Sequence, residues 1–217
     1  MFERVRRTPD AGVRDHVDMT DDHTQVQEFF SARAADWDAR FPDDGPRFAA
    51  AVADAGLRPG DTVLDAGCGT GRALPHLRQA VGPEGTVIGL DLTPAMLAAA
   101  VRAGRAGSGA LVQGDVARLP LRDGALDAVF GAGLVSHLAR PADDLRELAR
   151  VVRPGGRLVL FHAVGRAALA ARHGRRLTDD DLRAEPNLRP LLAAAGWHMT
   201  SYMDEDDRFL ALAVRRG

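Results

Sequence analysis

The sequence predicts an α/β domain built on one open, largely parallel sheet with helices on both faces. Short apolar runs of strand length alternate along the chain with stretches of helical periodicity. Three of those runs, Thr62 to Asp65, Thr86 to Asp91 and Leu111 to Asp115, close on an aspartate, and the first feeds a glycine loop, Ala66-Gly67-Cys68-Gly69-Thr70-Gly71. Ligands bind at the carboxyl ends of the strands in such sheets. Three carboxylates collected there without a ligand to serve is the poorer explanation.

At 217 residues the chain suits one domain with a real core. A net charge of −2 and no long basic block argue against nucleic acid as a partner. Cys68 is the only cysteine, so no internal disulfide forms, and no stretch reads as a signal peptide or a membrane span. The expectation is a cytoplasmic protein without a membrane partner.

Residues 1 to 22 mix Arg, Asp, Gly and Pro without apolar period and read as a disordered tail. The domain is expected over 23 to 217, with a helical segment at 23 to 46 ahead of a core at 47 to 217. From Thr24 to Phe41 the residues Val26, Phe29, Phe30, Ala34, Trp37 and Phe41 recur at helical intervals, predicting one amphipathic helix before the Pro42-Asp43-Asp44-Gly45-Pro46 break. Phe48 to Gly56 reads as a second helix with Gly56 as its C-terminal cap. Arg72 to Ala80 reads as a helix after the glycine loop, its free N–H groups pointing back at the loop.

The loop spacing and Asp65 select the ligand. A dinucleotide fingerprint runs G-x-G-x-x-G with the pyrophosphate on the helix N-terminus. Here the glycines run G-x-G-x-G, and a carboxylate at the strand tip would repel a pyrophosphate while suiting a cation without phosphate. S-adenosylmethionine, with its ammonium and sulfonium, is such a ligand. Asp91, at the next strand tip, can accept from the vicinal hydroxyls of a ribose, a feature that does not by itself separate the two cofactors. Thr93 and Pro94 then read as an N-cap and first helical residue.

On Asp65, Gly67, Gly69 and Gly71 the chain resembles the class I S-adenosylmethionine-dependent methyltransferases. Asp91-Leu92-Thr93-Pro94-Ala95-Met96 is similar to that family's Asp-x-Ser/Thr-Pro-x-Met run, and Arg150 to Gly156 to its arginine, two aliphatics, basic residue and Pro-Gly-Gly. The resemblance covers about Phe30 to Val214 and is nearest the small-molecule, ubiquinone/menaquinone-biosynthesis-like members. It implies a Rossmann-like seven-stranded sheet with the last strand antiparallel, fitting the strand-turn-strand pattern from Trp197 to Val214, and an N-terminal helical lid. It implies S-adenosylmethionine as cofactor, leaving as S-adenosylhomocysteine, held by Asp65, Ala66, Gly67, Gly69, Gly71, Asp91, Leu92, Met96, Gly114, Asp115, Val116 and Gly131. In that pattern Asp115 accepts from the adenine amino group and the Val116 backbone donates to the ring. Trp37 and Phe41, on the family's Trp-Asp helix, would either simply pack on the domain or close over the substrate.

Methyl transfer from a sulfonium needs chiefly alignment and exclusion of water. If the acceptor must lose a proton, His137, just beyond the fourth strand (Leu126 to Phe130), is the best-placed base, with packing as its plainer role. His162, at the tip of the fifth strand (Leu158 to His162), reads as substrate-pocket lining. Cys68 reads as small-residue packing, and no cluster has metal-ligand spacing. Between Phe161 and Asn187 the connection is long, with Thr178 read as an N-cap ahead of Asp179, Asp180 and Asp181. Arg166, Arg172, Arg175 and Arg176 could meet an anionic substrate, although a solvated arginine face is the commoner pattern. The Asn/Asp-Pro-Pro-Tyr/Phe signature of methylases that flip an exocyclic amine is missing, as is the paired-glutamate loop of arginine methylases. The expectation is methyl transfer to O, N or C of a small-molecule acceptor. The competing readings are a cofactor-binding scaffold without catalysis and a nicotinamide oxidoreductase.

Overall fold

The computed structural model describes residues 23–42 and 44–217, so the tail expected at 1–22 lies outside the described residues. The strands β1 (Thr62–Ala66), β2 (Thr86–Asp91), β3 (Ala110–Gln113), β4 (Leu126–Ala132), β5 (Val152–His162), β6 (Trp197–Glu205) and β7 (Arg208–Arg215) form one sheet. Their order is β3-β2-β1-β4-β5-β7-β6, all parallel except β7, which runs antiparallel to both neighbours. The order reverses between β1 and β4, which places a crevice at their carboxyl ends.

Helices cover both faces because the central strands are apolar on both sides. Successive β1 residues divide between the two layers. Val63 packs with Phe48 and Val52 of α3 (Gly45–Asp54) and with Leu74 and Leu77 of α4 (Leu74–Val81). Leu64 belongs to the other layer, with Leu145 and Leu148 of α6 (Pro141–Val151) and Leu188 and Leu192 of α8 (Glu185–Ala194). In that second layer Trp197 is fully buried, its indole N–H donating to the Leu145 carbonyl at 2.9 Å.

Several elements depart from the expectation. The helix expected over Thr24 to Phe41 is two pieces, α1 (His23–Ser31) and α2 (Trp37–Arg40). After Phe30 the chain tightens into i→i+3 bonds, with the Arg33 and Ala34 amides donating to Phe30 and Ser31 at 3.1 and 3.4 Å. The turn drops Ala34 onto Met96 and Ala99 and brings Trp37 back against Phe30, ring centroids 5.6 Å apart. Helix α3 starts at Gly45, inside the expected break, because Pro46 is tolerated in a first turn. Helix α4 starts at Leu74, since Arg72 and Ala73 still belong to the turn closed by Leu74 N–H donating to Gly71.

The third strand stops at Gln113, leaving Asp115 two residues beyond it in a loop. The strand expected from Leu158 starts earlier, at Val152, and takes Arg153-Pro154-Gly155-Gly156-Arg157 into β5 as a bulge, so that pairing jumps from Leu126 with Val152 to Ala128 with Arg157. Gly156 allows it, for a Cβ there would lie 2.7 Å from the Asp127 carbonyl oxygen. Thr178 caps no helix: α8 begins at Glu185, and Asp181 is drawn instead into ion pairs with Arg166 (3.0 Å) and Arg183 (3.3 Å).

Candidate functional site

Three carboxylates reach the crevice in different states. Asp65, at the end of β1, is 1% exposed, and neither carboxylate oxygen has a hydrogen-bond partner among the described residues. Burial, reinforced by nearby Asp91, raises its pKa to about 8. Asp91 is also raised by burial, but less starkly, because it accepts from the Gly69 and Thr93 amides, both at 2.8 Å. Thr93 thus serves Asp91; it stands at the N-cap of α5 (Pro94–Arg102) with Pro94 first in the helix, as expected, although its side chain makes no capping bond. Asp115 holds the Ala117 amide at 2.9 Å and stands 3.5 Å from His23 Nδ1.

The glycine loop has the backbone its sequence requires. Gly67, Gly69 and Gly71 have φ of 67°, 55° and 78°, which costs a side-chain-bearing residue dearly. A Cβ on Gly69 would meet nothing within 4 Å, so the loop is open there, while one on Gly71 would meet Leu74 at 2.8 Å. Cys68 is buried and packs over Gly89, and burial pushes its thiol far above the nucleophilic range. Gly131 does not open on the crevice: a Cβ there would meet Leu134 at 2.8 Å, and Gly67 faces the same Leu134 side chain. Gly114 packs against Leu90 in the same way, where a Cβ would lie 2.9 Å from its Cδ1.

The N-terminal helices lie across this edge. Gln27 of α1 donates to the Leu92 carbonyl at 2.9 Å. Phe30 packs on Met96 from one side and edge-on against His137 from the other, ring centroids 5.2 Å apart. Trp37 and Phe41 stack in sequence behind it, centroids 5.3 Å apart. The helices are fastened to the glycine loop at two points. Asp38 accepts from the Thr70 hydroxyl at 2.6 Å and pairs with Arg105 at 2.7 Å, while Arg105 also donates to the Thr70 carbonyl. Arg72 reaches the Phe41 carbonyl at 2.5 Å and Asp44 at 3.4 Å.

His162 stands half-buried at the tip of β5. Its Nδ1 lies 2.8 Å from the Val164 carbonyl oxygen and 3.1 Å from the Val164 amide. Burial, then the positive charge of Arg183, lowers its pKa to about 4, so the ring is neutral at physiological pH. A cavity of about 200 Å³ sits behind the helices, between Ala35, Asp38, Thr70 and Arg102, and another of about 270 Å³ lies on the apolar face of β1 to β3. Neither is lined by Asp65, which is shut in. Among the described residues, no group of His, Cys, Asp or Glu is placed to hold a metal, and no helix is long and apolar enough to cross a membrane.

The residues present fit S-adenosylmethionine. Asp65 offers two unpaired buried oxygens to a cation, Asp91 keeps spare lone pairs after its two backbone bonds, Met96 keeps an apolar side chain packed with Ala34 and Phe30, and the loop is open at Gly69. Residues 64–160 match the family model described as a methyltransferase domain. The uncharacterized 37.1 kDa protein of transposon TN4556 from Streptomyces fradiae is 44% identical over 104 residues, 48% of this chain but only 30% of that protein. The ubiquinone/menaquinone biosynthesis C-methyltransferase UbiE of Ectopseudomonas mendocina is 30% identical over 186 residues, covering 72% of this chain and 73% of the relative. This chain belongs to the class I S-adenosylmethionine-dependent methyltransferases. A solved S-adenosylmethionine-dependent methyltransferase from Aquifex aeolicus shares the fold at a TM-score of 0.63 and 23% identity, over 89% of this chain and 98% of that one.

Sequence reading of this methyltransferase missed the fastening residues Asp38, Thr70, Arg72 and Arg105, whose partners are 28 to 35 positions away along the chain. Only Trp37-Asp38 carried a signal for any of them. It also passed over Arg183, whose positive charge the fold brings near enough to His162 to lower its basicity. Arg166, weighed as a substrate contact or a solvated side chain, is neither: Asp181 and Asp204 hold it at 3.0 and 3.3 Å. Arg172, Arg175 and Arg176 are exposed.

Proposed function

We propose that this methyltransferase carries the methyl group of S-adenosylmethionine to O, N or C of a small-molecule acceptor. The observation that supports it most is Asp65, a carboxyl kept from water with both oxygens unpaired, an arrangement that is costly unless a cation arrives. The ligand's amino group answers that need. In this reading Ala66, Gly67, Gly69 and Gly71 form the floor, Asp91 takes the ribose hydroxyls, and Leu92 and Met96 flank the base. Gly114, Asp115 and Val116 receive its edge. Gly131 contributes indirectly, by letting Leu134 settle against the loop.

When bound, S-adenosylmethionine supplies an electrophilic methyl on sulfur, so the protein's task is to align the acceptor and exclude water. Phe30, Trp37 and Phe41 act as the lid that does the excluding. His137, edge-on to Phe30 next to the crevice, is the candidate to take a proton from a hydroxyl or amine acceptor. His162 lines the acceptor side as a neutral imidazole and is too weak a base for that role.

The relatives' chemistry bears on the acceptor class. One is named a ubiquinone/menaquinone biosynthesis C-methyltransferase, and a Marinomonas relative, 40% identical over 104 residues, a malonyl-[acyl-carrier protein] O-methyltransferase. Both names describe methylation outside nucleic acid. Calorimetric titration with S-adenosylhomocysteine tests the site: saturable binding by the native chain and its loss in Asp91→Ala are expected. Binding unchanged in that variant would overturn the site assignment. Release of S-adenosylhomocysteine on adding an acceptor separates an enzyme from a binding scaffold.

A further inference from the structure

We propose that the methyl acceptor carries a carboxylate or another oxyanion, and that the unpaired Nη1 edge of Arg183, near His162 at the tip of β5, receives it. This deepens the reading above and rests on it.

The connection between β5 and α8 carries an ion-pair network that a mere covering loop does not need. Asp181 takes Arg166 Nε at 3.0 Å and Arg183 Nη2 at 3.3 Å, and Arg166 also reaches Asp204 at 3.3 Å. Arg166 brings one positive charge to the two carboxylates of Asp181 and Asp204, and Arg183 brings the second, so the network is neutral with Arg183 in it. The hydrogen-bonding needs of Arg183 are unmet. A guanidinium has five N–H donors in a planar fork. Nε and Nη2 of Arg183 lean on Asp181, while Nη1 is closed off from solvent and has no acceptor among the described residues. A charged donor held in that state is expensive, and a bidentate oxyanion is the partner that guanidinium geometry matches best.

The backbone turn that carries Arg183 is held by three bonds. The Arg183 amide donates to Asp181 Oδ1 at 2.8 Å, its carbonyl accepts from the Tyr202 hydroxyl at 2.9 Å, and Asn187 Nδ2 donates to the Asp181 carbonyl at 3.0 Å. Elements β6 and α8 thus fix one irregular turn from both sides. It belongs to the connection that leaves the carboxyl end of β5, near enough for its charge to be felt at His162. Neutral His162 adds no second positive charge and offers a ring wall to the group that Arg183 holds. An acid anchored here would leave its remaining atoms to extend toward the crevice between β1 and β4.

The full chain saturated with S-adenosylhomocysteine, titrated with salicylate and malonate against salicylamide and malonamide at constant ionic strength, tests this. Native protein is expected to bind at least one acid tenfold or more tightly than its amide. In Arg183→Gln that ratio falls to within twofold while S-adenosylhomocysteine affinity stays within twofold, and Arg183→Lys recovers part of it. The proposal is overturned if native, cofactor-loaded protein binds no acid better than its amide, or if Arg183→Gln keeps the preference. A drop in melting temperature with parallel loss of S-adenosylhomocysteine binding would mark Arg183 as structural and overturn it too. Native protein that fails to bind S-adenosylhomocysteine at all instead refutes the function on which the proposal stands.

Discussion

Replacing Asp65 with asparagine preserves the shape of a protonated carboxyl and removes its acidity, so the variant should gain stability as it loses ligand. The unfolded carboxyl gives up its proton near pH 3.8, whereas the folded one keeps it to about pH 8. Between those values the folded chain holds a proton that the unfolded chain lacks. Stability therefore falls as pH rises, by up to about 1.4 kcal/mol per pH unit, and the fall stops above the folded pKa. Integrated from pH 5 to pH 8, the loss is on the order of 3–4 kcal/mol, and the Asp65→Asn variant, with no acid to titrate there, escapes it. Urea unfolding followed by circular dichroism at pH 5, 6, 7 and 8 reads the difference. The variant's advantage over native should widen steadily across that range, while its affinity for S-adenosylhomocysteine falls roughly ten- to a hundredfold. A stability gap that stays constant with pH would refute the reasoning, because it would mean that Asp65 ionises in the folded chain as it does in the unfolded one.

The same proton should be seen leaving when a ligand binds. At pH 7 about nine-tenths of chains carry it if the pKa is near 8, so S-adenosylhomocysteine binding in phosphate and in Tris should differ in heat by nearly one buffer ionisation, and the difference should vanish in Asp65→Asn. Asp38→Ala removes the acceptor of both Thr70 and Arg105. It should speed S-adenosylhomocysteine dissociation about tenfold, the equivalent of roughly 1.4 kcal/mol, in stopped-flow fluorescence of Trp37, and an unchanged rate would show that this fastening does not hold the ligand. Gly165→Ala would put a Cβ 1.8 Å from the Glu205 carbonyl oxygen, where α7 (Arg166–Arg172) meets the end of β6. It should cost about 1–3 kcal/mol in urea unfolding, and native-like stability would show that α7 can shift aside freely.

What the sequence made legible was local and period-bound. β1 and β2 are buried on both faces, so each appears as a short apolar run ending in an aspartate, and β4 shows the same apolar run from Ala128 onward. Gly67, Gly69 and Gly71 were readable because their positive φ leaves few alternatives to glycine. The misreadings arose where a distant partner overrode a local pattern. Thr178-Asp179-Asp180-Asp181 has the residues of a helix start, yet Arg166, fifteen positions before Asp181, takes that carboxylate and the helix waits until Glu185. The single helix expected across Ser31 to Trp37 breaks because packing Ala34 on Met96 outweighs continuing the helix. Arg183 left no trace in the sequence, since the turn that carries it is fixed by Tyr202, nineteen positions further on, and by Asn187.

Because Asp65 is enclosed, a ligand cannot approach it by diffusion alone. With the N-terminal helices as the proposed lid, fastened to Thr70 and Arg105, the observed loading rate should level off at high ligand concentration, at the frequency with which that gate opens by itself. A molecule arranged like this is timed by its own door.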